Sequence, residues 1–478
     1  MLKPVRYLLI LALISLCLDC GCGISTGGTN PTRPAPVSTF PVVAFSDVHF
    51  NPFDDPTLCT TLESADISAW AGIFQGSQKT PLLPTWHEDT NYPLLMLALA
   101  NIKGNLGTSP LMIFDGDLLS HGFSNSFYQH CKGLTPQQTP SAQDVADMET
   151  FANTTATFVM QQVRSSVGNI PVMFAVGNND SYTGLGPNSA FLAGTVEPYY
   201  TYFVSGSAAD YPTFFNSFTA GGYYAYEPIG ANLRVISLNT NLLATPYPGI
   251  PANDGAAYAE LAWLDAELAS AQAAGQKVWL LMHVPPGADT CTSAQNLAND
   301  GSLTDANVVM MWTQAYQESF LQILAKYPGL IPLSLGGHTH RDEFRLMTSE
   351  NVLNIPPSIS PWMGNDPAFE IYSISSGTYV PTDYRSLNYD LATAPVEFSS
   401  YYTFSTAYSM SGALDGALEA LYSELKSDST MQAIYASQYN SGNNTSPWNP
   451  ISDANLPVFI CGIGNMAQAD FLACVNSY

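Results

Sequence analysis

The sequence predicts an α/β layered fold whose loops at strand ends carry the chemistry. Three observations lead there. Short, continuous apolar runs bounded by Gly or Pro recur along the chain, as expected of strands buried on both faces. Segments of helical periodicity alternate with them, the pattern of an α/β core. Asp, Asn and His residues stand directly after the apolar runs, where open α/β sheets place their functional loops.

The elements follow in order. Residues 41–45 form a strand leading into Asp47 and His49. A helix over 92–103 precedes the strand 111–114, which leads into Gly116, Asp117 and His121. A helix over 142–166 precedes the strand 171–176, which leads into Gly177, Asn178, Asn179 and Asp180. Further strands are expected at 223–226 and 233–238. Residues 256–274 read as a helix, with Leu261, Leu264, Leu268 and Trp263 as its apolar stripe and Gly275 as its stop. The strand 278–281 leads into His283. A helix over 308–327 precedes the strand 330–335, which leads into His338 and His340. After about residue 385 the chain turns rich in Ser, Tyr, Ala and Asn, with a Tyr-rich stretch at 397–408 and helical patterns at 413–426 and 428–437. No internal repeat is visible.

The organisation expected is a signal peptide at 1–23, a flexible linker at 24–40, a catalytic domain at 41–385 and a mostly helical C-terminal extension at 386–478. Lys3 and Arg6 form the positive start of the signal, and residues 7–18 are an apolar run too short to span a bilayer reliably. The lipidation of Cys22 stays open, since Gly21 before it favours a lipid box and Asp19 disfavours one. Residues 24–40 are rich in Gly, Thr, Pro and Ser, the composition of a tether. No later segment is apolar over the length of a membrane span. The expected location is therefore outside the cytoplasm: periplasmic, secreted or lipid-anchored at the cell envelope.

Charged residues are only 11% of the chain, and the 14 Lys and Arg against 39 Asp and Glu leave a net charge of −25. This argues against nucleic acid or another long polyanion as an electrostatically steered partner. It suits an acidic medium, and equally a merely acidic secreted surface. Export permits disulfides. Cys461 and Cys474, close together near the C-terminus, are expected to pair. Cys59 and Cys131 each follow a strand of the proposed site and are placed to meet at its rim, which leaves Cys291 over.

Five of the seven histidines sit in the short motifs that follow the apolar runs. Asp47, His49, Asp117, Asn178, His283, His338 and His340 supply seven oxygen and nitrogen donors. That is about what two borderline divalent metals sharing a carboxylate require. Each motif alone has an ordinary explanation as a strand end, a turn or a surface hairpin; their ordered recurrence is what points to a metal centre. His87 and His130 lack such a setting and read as surface residues, and Asp115 as structural or as a support behind the ligands rather than a ligand.

The ordered set resembles the calcineurin-like metallophosphoesterases, and more narrowly the acid-sphingomyelinase-like branch of exported phosphodiesterases. The segments that carry the resemblance are 116–121, 233–241, 283–287 and 337–344, within residues 41–380. It implies a layered β-sandwich flanked by helices and two divalent metals, most often zinc, with iron or manganese as alternatives. One metal would take Asp47, His49 and His340, and the other Asn178, His283 and His338, with Asp117 bridging. It further implies attack on phosphorus by a hydroxide shared between the metals.

One departure bears on mechanism. The family usually has Gly-Asn-His at the position where this chain has Gly177-Asn178-Asn179. Asn cannot deliver a proton, so His121 becomes the expected general acid, with Asp180 orienting Asn179 or His121. The substrate expected is a small phosphorylated molecule or a lipid head group, including nucleotides. Only residues 24–40 separate the signal from the first metal-bearing strand, which leaves no room for a lipid-presenting domain and favours soluble substrates. A membrane would be met only through an N-terminal anchor. Loops 52–90, 122–140 and 181–220 are the expected substrate wall. Two other readings stand beside this one: an endopolyphosphatase, suggested by Asn179 and opposed by the charge, and a non-catalytic surface protein that keeps the metals as structural clips.

Overall fold

The computed structural model describes residues 38–246, 253–444 and 449–478. The expected signal peptide and all but the last three residues of the expected linker lie outside them. Strands β1 (Thr39–Phe45), β2 (Met112–Phe114) and β3 (Val172–Phe174) run parallel and form one half of a six-stranded sheet. Its other half is antiparallel: β10 (Ala368–Ser375), β11 (Pro381–Asn388) and β12 (Ser399–Thr403), in the order β12-β11-β10-β1-β2-β3. The second sheet has the order β4-β5-β6-β7-β9-β8. Its strands are β4 (Tyr224–Tyr226), β5 (Leu233–Ser237), β6 (Lys277–Leu281), β7 (Leu333–Leu335), β8 (Glu343–Thr348) and β9 (Asn351–Ile355).

Alternation along the strands explains the layering. Val235, Trp279, Leu281, Leu333 and Leu335 belong to the core shared with the first sheet. Their neighbours Ile236, Val278 and Leu280 pack in a second core with the helices Asp254–Ala274 and Gln314–Ala325. Successive side chains of a strand point to opposite faces, so one strand serves both cores. The sheets are also stitched by polar contacts. Ser237 Oγ donates to the Phe174 carbonyl at 2.6 Å, and Tyr224 Oη accepts from the Phe174 N–H at 2.8 Å. Helices Tyr92–Asn105 and Ala142–Val167 make the crossovers between β1, β2 and β3. The longer one begins at a capping box in which Ser141 and Asp144 satisfy each other's backbone N–H.

Two expectations change in detail. Residues 308–313 are not helical: Met310 bridges to Ala288 and Trp312 to Ala244, and the indole of Trp312 donates to the Val284 carbonyl at 2.9 Å. Burying Trp312 this way holds the segment extended, and the helix starts only at Gln314. The expected boundary at residue 385 falls inside β11, and β12 continues the same sheet. Helices dominate only from Phe404 onward, the larger ones being Leu414–Leu425, Ser429–Gln438 and Leu456–Gly464. Disulfides join Cys59 to Cys131 and Cys461 to Cys474, as expected, and Cys291 is the free cysteine among the described residues. No helix among the described residues is long and apolar enough to cross a membrane.

Candidate metal centre

The parallel strands of both sheets end at one place, and the candidate donors stand in the loops that leave them. Asp47 and His49 follow β1, Asp117 follows β2 and Asn178 follows β3; His283 follows β6, and His338 and His340 follow β7. Five of these seven, Asp47, His49, Asp117, His338 and His340, have left-handed backbone, with φ between 45° and 74°. Non-glycine residues avoid this region, and where it persists the surroundings enforce it. Here hydrogen bonds between the loops do so: the N–H groups of Asp47 and His49 donate to the carbonyls of Gly116 and Asp117, both at 2.9 Å.

Glycine makes the close approach workable. A Cβ at Gly177 would overlap the Oδ1 and the backbone N of Asp117, and one at Gly337 would overlap Ser46 Oγ and crowd Asp47 Oδ2. The glycine preceding Asn178 and the one preceding His338 are thus the space in which the neighbouring carboxylates lie.

All seven side chains converge. Asp117 Oδ2 lies 3.3 Å from His49 Nε2 and 3.3 Å from His283 Nε2. His49 Nε2 faces His340 Nε2 at 3.1 Å, and Asp47 Oδ1 lies 3.4 Å from His340 Nε2. Asn178 Oδ1 is 3.2 Å from His283 Nε2 and 2.9 Å from His338 Nδ1. The far sides of several groups are fixed by acceptors. His49 Nδ1–H donates to the Leu119 carbonyl at 3.0 Å and His283 Nδ1–H to the Asp115 carbonyl at 2.6 Å. A carbonyl only accepts, so both rings carry their proton on Nδ1 and turn the Nε2 lone pair inward. Asn178 Nδ2 donates to the Gly184 carbonyl at 3.2 Å, which turns its oxygen inward as well.

The electrostatics call for cations. Asp47 and Asp117 are buried, and their ionic partners among the described residues are histidines alone. Burial disfavours every charge here. At His49 and His283 the field of Asp117, assisted by Asp47, overcomes that and lifts the imidazoles to about 9 and about 10. Burial and the His283 charge drop His338 to about 4. The two carboxylates thus draw positive charge into the centre. Two carboxylates, four imidazoles and an amide oxygen with inward lone pairs are a donor set that fits a pair of borderline divalent cations.

The three expected catalytic residues separate. His121 lies in the cluster: its ring stacks on His49 with centroids 3.9 Å apart and on Trp362 at 4.5 Å. Ligand atoms of His49, His121 and His340 all fall within 4.8 Å of one another. Asn179 commits both its groups to Asp117, its N–H to Oδ1 at 2.7 Å and its Nδ2 to Oδ2 at 2.9 Å. Asp180 takes a different place from the one expected. It is fully buried and accepts the backbone N–H groups of Gly177, Asp117 and Leu118 at 2.7 to 3.1 Å. It ties the loop after β3 to the loop after β2, and orients neither Asn179 nor His121 through its side chain.

The residue that does hold His121 is Asp89, which no motif marks in the sequence. Asp89 is buried, accepts from both the backbone and the ring of His121, and takes the Ser360 hydroxyl at 3.1 Å. Asp115 is buried beside the centre, its carboxyl pushed well above the usual range by burial and then by Asp47.

A cavity of about 750 Å³ opens over the centre, with Asp117, His121, Asn178, His338 and His340 on its floor. Its wall differs from the expected loops. Thr290 and Cys291 of the helix Thr290–Asp300 contribute, as do Trp362, Met363 and the C-terminal residues Tyr439 and Pro450. From the expected loops only His87 reaches the cavity among the described residues; it is exposed, as read from the sequence, and its backbone N–H donates to the Pro361 carbonyl at 3.0 Å at the rim.

Known proteins resemble this chain in sequence. The chain is 26% identical over 259 residues to Sphingomyelinase phosphodiesterase C of Dictyostelium discoideum, covering 49% of this chain and 52% of that protein. It is 25% identical over 275 residues to Sphingomyelin phosphodiesterase B of the same organism, covering 54% and 40%. To the Cyclic GMP-AMP phosphodiesterase SMPDL3A of Homo sapiens it is 25% identical over 379 residues, covering 76% and 71%. The chain thus spans about half or less of the length of the first two relatives. The model of the calcineurin-like phosphoesterase family matches residues 40–342, from β1 through the loop that bears His338 and His340, and the chain belongs to that family.

Proposed function

We propose that the chain hydrolyses phosphodiesters of small molecules at a two-metal centre. Asp47, His49 and His340 hold one cation, Asn178, His283 and His338 hold the other, and Asp117 is shared. The observation that carries this reading is the position of Asp117 Oδ2, 3.3 Å from a ring nitrogen on each side. The donor set favours zinc, with iron or manganese next. What a pair of divalent cations supplies in such a site is neutralisation of phosphoryl charge and a lowered pKa for water.

The chain's own residues do the rest. Asn179 fixes the Asp117 carboxylate with two hydrogen bonds, so its orientation survives substrate entry. Asp89 holds the Nδ1–H of His121, which leaves Nε2 to deliver a proton to the departing oxygen. Trp362 stacked on His121 prevents the ring from swinging away. As the water oxygen bonds to phosphorus, the ester P–O bond breaks and the leaving oxygen takes that proton; the water's own proton is released to solvent, from which His121 is reprotonated.

The relatives carry phosphodiesterase names, which favours a diester over a monoester. Arg341 is the one Lys or Arg lining the cavity among the described residues, which disfavours a long polyphosphate. The two disulfides support export. The test is hydrolysis of bis-p-nitrophenyl phosphate by the metal-loaded chain across pH 4–8, beside Asp117→Asn. Turnover lost in the variant is expected; a wild type that binds two metals and turns over no ester would overturn the proposal in favour of a structural metal clip.

A further inference from the structure

Arg341 follows the last candidate donor, His340, and is buried at 5% exposure on the cavity wall. Its Nη2 donates to the Met363 carbonyl at 2.8 Å, and its guanidinium lies over the Tyr439 ring, 5.9 Å from the centroid. Its Nε and Nη1 are buried and have no hydrogen-bond partner among the described residues. Such atoms exist elsewhere in the core. Yet among the cavity-lining residues only His340 and Arg341 possess them. At His340 the atom is Nδ1, on the other side of the ring from the Nε2 that meets the metal centre; at Arg341 it is two donors of a cation.

Leaving two donors of a buried cation unpaired is costly, and a native site that does so has a use for them. The position adds to this. The chain has only 14 Lys and Arg against 39 Asp and Glu, and one of those few is held inside the cavity. The other charged group on that wall, Asp289, is already engaged: its carboxylate accepts the N–H and hydroxyl of Thr292 at 2.9 and 2.6 Å, capping the helix Thr290–Asp300. Asp289 is thus engaged by Thr292, and Arg341, on the same wall, keeps Nε and Nη1 unpaired with no carboxylate partner among the described residues.

We infer that Arg341 binds a second anionic group of the substrate, a phosphate distinct from the one that is cleaved. This rests on the phosphodiesterase reading above and narrows it: the preferred substrates are diesters that carry a further phosphate within reach of Arg341. A planar guanidinium offering two parallel N–H groups matches phosphate oxygens in a way that an ammonium does not. The Met363 and Tyr439 contacts fix the plane of the fork, so little orientation is lost on binding.

The test uses two chromogenic esters with the same scissile bond. One is the p-nitrophenyl ester of thymidine 5′-phosphate; the other bears an additional 3′-phosphate. The metal-loaded wild type is expected to favour the second by about tenfold or more in kcat/KM. The ratio should fall toward one in Arg341→Met and be partly kept in Arg341→Lys. Equal values in the wild type overturn the inference, as does a preference that survives in Arg341→Met. Binding is measured separately by calorimetry, with thymidine 3′,5′-bisphosphate against the 5′-monophosphate. If neither ester is turned over, the phosphodiesterase reading fails by itself. The calorimetry then decides on Arg341: tighter bisphosphate binding that disappears in Arg341→Met sustains it, and equal binding ends it.

Discussion

Asp89 holds His121 twice, its Oδ2 accepting the backbone N–H at 2.8 Å and its Oδ1 the ring Nδ1–H at 2.9 Å. The two bonds fix where the residue sits and which ring nitrogen is left to act. With 23% of its side chain exposed, His121 is open to an arriving ester.

If His121 protonates the leaving oxygen, its loss should matter most when that oxygen is basic. His121→Gln is expected to lower kcat on alkyl phosphodiesters on the order of 10²-fold or more, and to cost less on p-nitrophenyl esters. Asp89→Asn should shift the same balance in the same direction, by less. The check is the slope of log kcat against leaving-group pKa, which should steepen in both variants. An unchanged slope would assign His121 to metal binding instead.

The metal centre joins loops from both sheets, so cations should stabilise the fold as well as the reaction. At a free metal concentration a hundred times the dissociation constant, one site adds about 2.7 kcal/mol. Removal of metal by a chelator is expected to lower the melting temperature by several degrees, and zinc should restore it. Scanning calorimetry before and after chelation, with metal content measured in parallel, reads this directly.

Gly177→Ala should be disproportionately harmful. The added methyl would occupy the place of the Asp117 carboxylate and press on its backbone. The expected result is loss of metal and of turnover, together with a destabilisation of roughly 1–3 kcal/mol from overpacking. Gly104→Ala meets nothing within 4 Å and serves as the comparison. Metal content of the two purified variants separates the outcomes.

Away from the centre, Asp366 gives a pH signature. Burial lifts its carboxyl to about 6, although the Leu391 N–H and the Trp86 indole pull the other way. In the unfolded chain it titrates near about 3.9, so the folded state binds the proton more tightly. Stability is therefore lost as pH rises from about 4 through about 6, on the order of 2 kcal/mol in all. Asp366→Asn keeps the acceptor oxygen and should be more stable than the wild type at pH 7, but equal to it below pH 4. Urea denaturation at the two pH values is the measurement.

The candidate donors were legible because each stands two to five residues past an apolar run, and three of the seven (Asp117, Asn178 and His338) have a glycine beside them. Strand ends and close approaches leave such marks in a sequence. Asp89 left none: it lies in a loop far from His121 in sequence, and a lone Asp before Thr90 has no pattern to betray it. Asp180 was visible but misassigned, since backbone N–H groups as partners do not show in side-chain spelling. The cavity wall escaped because it is assembled late, from the helix after His283 and from the C-terminal part. There Tyr439 packs beside Arg341, and its carbonyl accepts the Asp342 N–H at 3.1 Å. The fold class was readable from alternation alone. The antiparallel edge β10–β12 was not, its strands carrying Asp, Glu, Arg and Tyr where a buried parallel strand carries aliphatic residues.

The five left-handed donors set heat resistance against turnover. An L-residue in that conformation gives up roughly 1–2 kcal/mol that glycine would not. A laboratory selection for thermal survival alone, with metal withheld, would drift toward glycine at Asp47, His49, Asp117, His338 and His340, and the survivors would be inert. A lineage under pressure for activity must instead find its added stability elsewhere, in the helices and sheet edges remote from the strand ends.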